Sequence, residues 1–139
     1  FYVAWKQQRV RKKFDGADSV QASRFLRHSR EEVDRLKHSY EQLARLAAPR
    51  KVVIFTIPRV PDLAAFARER RSPLDEDLAE WSSTQPNVIF VPLLAALFER
   101  FGEKATDLFL SCDPHWGPAG HRAAADILLE QAGVILRGH

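Results

Sequence analysis

Three features of this 139-residue sequence predict an α/β fold with a small parallel sheet. Two short runs, Lys51–Pro58 (KVVIFTIP) and Asn87–Leu93 (NVIFVPL), are β-branched and aromatic without polar alternation, the pattern of strands covered on both faces. Helical periodicity lies before, between and after them. Such alternation of strand and helix belongs to right-handed βαβ crossovers, and the expected architecture is three-layered, α/β/α.

In chain order, Phe1–Trp5 (FYVAW) reads as a short buried strand, followed by the basic stretch Lys6–Lys13 and a turn at Asp15–Ser19. Helical spacing then runs from about Ser19 to Ala48, in two pieces, with Val33, Leu36, Tyr40, Leu43 and Ala47 on the apolar face. After the strand ending at Pro58, two short helices are expected around Leu63–Arg70 and Leu74–Ser82. The strand at Asn87–Leu93 leads into a helix at Leu94–Gly102, and Ala105–Cys112 (ATDLFLSC) is expected as a third parallel strand. A closing helix spans Ala119–Leu136 and turns Ala124, Ile127, Leu128, Gln131 and Ile135 toward the sheet. No internal repeat is visible.

Composition fits one compact domain spanning residues 1–139: 45% of residues are hydrophobic and 28% charged, and the 8 Pro and 6 Gly are scattered. No run approaches the roughly 18 apolar residues of a membrane span. One cysteine, Cys112, excludes an internal disulfide framework. The net charge of +3 is local in origin, since residues 1–50 hold 12 Lys and Arg against 6 Asp and Glu. No aromatic residues interleave the basic stretch and no nucleic-acid motif surrounds it, so a nucleic-acid partner is not expected. The chain has no methionine and opens on Phe1, and a sheet this small leaves an edge that natural folds cover or pair. The expectation is therefore an upstream segment, or a second chain, that completes the sheet.

The stretch that asks for chemistry is Ser111–Leu128, SCDPHWGPAGHRAAADIL. Gly117 permits a sharp turn and Pro118 has the φ of a first helical residue, so the last helix should start there. Asp113 and His115 stand just ahead of it, two residues apart around Pro114. Such a pair can project to one side, the carboxylate taking the imidazole Nδ1–H and leaving Nε2 free for a hydroxyl. That is two thirds of an acyl-transfer triad. The residues admit other readings too: Asp113 capping a turn with His115 packed on Trp116, or zinc held by Cys112, Asp113, His115 and His121. Spacing argues against the zinc site, because His-x5-His fits no standard ligand pair.

Residues 113–128, DPHWGPAGHRAAADIL, resemble the C-terminal block of the SGNH (GDSL-like) hydrolase superfamily, nearest the Asp-x-His-Trp branch that includes alginate O-acetyltransferase-like proteins. The order of elements from Val33 to His139 is consistent with that resemblance. It implies a flavodoxin-like sheet, Asp113 as the triad acid, His115 as the general base and Trp116 as a wall of the substrate site. Gly120-His121 would be a helix-start feature. It further implies an acyl-serine intermediate formed on O-acyl groups, such as acetyl, of a carbohydrate or other small ester. No cofactor is implied, and the expected location is a bacterial envelope or secreted one. The family's nucleophile block and its oxyanion-hole glycine and asparagine have no convincing match here. Ser19, in GADSVQAS, is a poor nucleophile because no buried strand precedes it, so the serine is expected upstream of Phe1. The alternative is an SGNH-like domain without catalysis that binds glycan or a partner protein.

Overall fold

The computed structural model describes residues 23–110, 113 and 115–137, with side chains through residue 133. Phe1–Trp5, the basic stretch, Ser19 and Cys112 lie outside the described residues. Five α-helices and two strands follow in the order α1 (Arg30–Ala47), β1 (Val52–Phe55), α2 (Val60–Glu69), α3 (Pro73–Ser83), β2 (Val88–Val91), α4 (Leu93–Phe101) and α5 (Pro118–Arg137). A 3₁₀ helix at Gly102–Leu108 follows α4 directly. The mixed α/β class is thus as expected.

The strands pair in parallel with Val52 opposite Val88 and Phe55 opposite Val91. Helices lie against both, α1 on β1, and α3 and α5 on β2. Ile89 and Val91 enter a cluster built from Leu63, the α4 residues Leu93, Leu94 and Leu97, and Ala123, Ala124 and Ile127 of α5. The three α4 leucines are at most 1% exposed. Full burial of each such side chain contributes about 1.5–3 kcal/mol. Val33, Ala44, Ile54 and Leu78 are buried outside that cluster.

Local chemistry sets the helix ends. Ser29 caps α1: its Oγ accepts the Glu32 N–H at 3.2 Å while Glu32 Oε2 accepts the Ser29 N–H at 2.8 Å. This reciprocal box starts the helix at Arg30, and residues 24–26 ahead of it form a turn. The core face of α1 also differs from expectation. Leu43 is 54% exposed and Ala44 is buried in its place. The small Ala44 lets the strand entrance come close, and its carbonyl accepts the Asn87 side-chain amide at 2.8 Å. Pro61 and Pro73 stand in the first turns of α2 and α3, where a missing N–H costs nothing.

Three further expectations are corrected. Ala105–Cys112 is not a third strand among the described residues: Ala105 and Leu108 are buried three apart, which suits the 3₁₀ period. Only Phe109 makes a bridge, antiparallel to Trp116. Nor is Lys51–Pro58 covered on both faces along its whole length, since at its end Phe55 is 36% and Ile57, past the last paired residue, 60% exposed. On α5, Gln131 is exposed while Ala123 and Ala132 are buried, because the helix follows the row of residues 120, 124, 128 and 132.

Candidate functional site

The loop before α5 is pinned at both ends. Leu110 N–H donates to the His115 carbonyl at 2.9 Å, Asp113 N–H to the Leu110 carbonyl at 3.3 Å, and Gly117 N–H to the Leu108 carbonyl at 2.8 Å. These bonds close a tight turn that holds Asp113 and His115 on one side. The His115 backbone N–H donates to Asp113 Oδ1 at 2.9 Å, and the same oxygen lies against the His115 Nδ1. A carboxylate facing Nδ1 can only accept, so in the neutral ring that nitrogen carries the proton and Nε2 is the acceptor. The two hydrogen bonds from His115, the ring's first, hold the Asp113 carboxyl below its usual range. Both side chains reach solvent, His115 at 80% exposure and Asp113 at 44%.

Trp116, next in the chain, is half-buried, with its ring edge-to-face on His121 at 5.8 Å and 81°. Its Nε1 is buried with no hydrogen-bond partner among the described residues. Gly120 explains how the helix comes so near. A Cβ there would lie 2.6 Å from the Leu108 carbonyl oxygen and 2.9 Å from the Trp116 Cβ.

A cleft of about 580 Å³ opens beside the pair. One wall is the end of β1 and the segment after it, Phe55, Ile57, Pro58 and Arg59. The other holds His115 and Trp116, continued along α5 by His121, Ala124, Ala125 and Leu128. The cleft therefore lies at the carboxyl end of a parallel strand, where α/β sheets gather their sites. The Phe55–Arg59 wall was not expected from sequence, where Lys51–Pro58 reads as strand throughout. His121, read as a helix-start feature, faces the cleft.

Buried polar groups fix that first wall. Arg59 N–H donates to Asp62 Oδ2 at 2.8 Å, and Thr56 Oγ1 donates to Asp75 Oδ1 at 2.8 Å. Ser72 Oγ donates to the other Asp75 oxygen at 2.9 Å. Burial pushes the Asp75 carboxyl above its ordinary range.

Of the residues expected at a site, His115 and Trp116 line one cleft, and Asp113 is bonded to His115. Ser19 and Cys112 lie outside the described residues, and no cluster of three or more His, Cys, Asp or Glu able to hold a metal occurs among those described. No helix among them is long and apolar enough to cross a membrane. Compared with known proteins, the chain matches no family model, no curated protein and no solved structure.

Proposed function

We propose that the chain forms part of an SGNH-type ester hydrolase or O-acyltransferase, in which Asp113 and His115 are the acid and base of an acyl-serine mechanism. The Asp113–His115 hydrogen bond at the mouth of the cleft is the observation that carries this reading. The two strands would then belong to a larger three-layer, flavodoxin-like sheet whose other strands come from outside the described residues. Burial of Ile89 and Val91 in one cluster and of Ile54 outside it supports a sheet covered on two sides.

The chemistry follows from the free Nε2. A serine supplied from outside the described residues presents its hydroxyl to His115 Nε2, which takes the proton as Oγ attacks the ester carbonyl. Asp113 holds the tautomer and stabilises the imidazolium. The tetrahedral intermediate collapses, the carbon–oxygen bond to the leaving alcohol breaks, and His115 returns its proton to that alcohol. Water or a sugar hydroxyl then attacks the acyl-serine, giving its proton to Nε2, and the serine recovers a proton as the acyl group departs. Trp116 is the wall against which an acylated carbohydrate or other small ester would lie.

A second reading, a domain that binds glycan or a partner without catalysis, is favoured by one observation: no serine or cysteine lines the cleft among the described residues. A fluorophosphonate probe on the full-length protein separates the two. Catalysis predicts one labelled serine, with labelling slowed about 10²–10⁴-fold by His115→Ala while the fold persists. Absence of labelling, or labelling indifferent to His115→Ala, refutes it in favour of binding.

A further inference from the structure

The cleft beside His115 is roomier and more apolar than an acetyl group requires. Its polar lining residues are His115, His121 and Arg59, the rest of the wall is apolar, and no acidic residue lines it among those described. On α5 the lining residues His121, Ala124, Ala125 and Leu128 fall at i, i+3, i+4 and i+7, one continuous face of the helix. The two central positions are alanines, which leave space, and Phe55 and Ile57 stand exposed opposite. At a rise of about 1.5 Å per residue, Leu128 lies about 10 Å along the helix from His121. An extended chain reaches about 3.5 Å per three backbone bonds, or about 1.2 Å per bond, so this trough matches an aliphatic chain of about eight carbons.

Resting on the reading of Asp113 and His115 as acid and base, we infer that the trough receives the acyl chain of the ester, and that the chain is of medium length. Its continuity with His115 selects this occupant: a carbonyl placed at Nε2 leaves its acyl tail running down α5 toward Leu128. Ala124 and Ala125 set the width, and Leu128 marks the far end.

The test is the turnover of p-nitrophenyl esters from acetate to dodecanoate by the full-length protein. Each buried methylene should raise kcat/KM about fourfold until roughly eight carbons, after which the series levels. Ala125→Trp, on the exposed side of the trough, should lower the ratio of octanoate to acetate kcat/KM about tenfold or more. A series in which acetate is best overturns the inference and indicates that another segment of the full-length protein fills the trough. A ratio untouched by Ala125→Trp overturns it as well. Absence of both turnover and fluorophosphonate labelling overturns the catalytic reading itself, and the inference falls with it.

Discussion

At Asp113 a single residue has two donors on one oxygen, the His115 ring and the His115 backbone N–H. Both favour the carboxylate, and the ring bond is the larger cause of its lowered pKa. A group whose folded pKa lies below its unfolded value stabilises the fold above the unfolded value, near 3.8, and loses that contribution as pH falls through the lower folded one. Titrating the Asp113 carboxyl by NMR should therefore give a midpoint below the ordinary aspartate value. In His115→Ala the ring bond is gone and the midpoint should move upward, though not fully, because the backbone N–H of residue 115 still donates. A midpoint indifferent to that substitution would mean the pair seen here does not persist in solution. Asp113 and His115 were legible in the sequence because their bond is local, two residues apart with a φ-restricted proline between them. The partner of Trp116 was not, since His121 meets it only once α5 is wound.

Between elements, the contact that decides the site is α5 against the 3₁₀ helix. Gly120 sits where any side chain would collide with the Leu108 carbonyl and Trp116. Overpacking of this kind costs about 1–3 kcal/mol when neighbours must shift. Here one neighbour is backbone already bonded to the Gly117 N–H, so it yields little. Gly120→Ala should lower the urea midpoint accordingly and alter Trp116 fluorescence, whereas unchanged stability and emission would show that α5 stands farther off. The start of α5 at Pro118 was readable from Gly-Pro chemistry alone. The reason for Gly120 was not, because Ala105–Leu108 reads as strand from composition. Those residues instead follow a period of three after Gly102, whose φ of 57° terminates α4. Tertiary burial of Ala105 and Leu108 overrides strand propensity there.

For the molecule as a whole, periodicity disclosed the strand runs and most helices, since burial imprints itself on neighbouring residues. It did not disclose the cleft, whose walls come from residues 55–59 and 115–128 and meet only through the fold. The node that anchors the first of those walls is also non-local: Thr56 after β1, Asp62 of α2 and Ser72 and Asp75 at the start of α3 are all buried. Burial raises the Asp75 pKa, with the charges of Asp62 and Glu76 adding to it, against the hydrogen bonds from Thr56 and Ser72. A raised folded pKa means that the folded state holds the proton longer. The stability it contributes is complete below the unfolded value, near 3.8, and is lost as pH rises through the folded one. Asp75→Asn removes that titration, keeps an acceptor for Thr56 Oγ1 and offers Ser72 Oγ an amide donor. Urea unfolding from pH 3 to 7 should then show the variant gaining on the parent protein as pH rises. Thr56→Val is the counterpart: it strips one oxygen of Asp75 of its donor inside the protein, and leaving a buried acceptor unpaired costs about 1–3 kcal/mol. It should also loosen the segment that carries Ile57 and Arg59. If the two substitutions gave the same pH profile, ionisation of Asp75 would not be what its burial opposes, and the node would be held by packing alone.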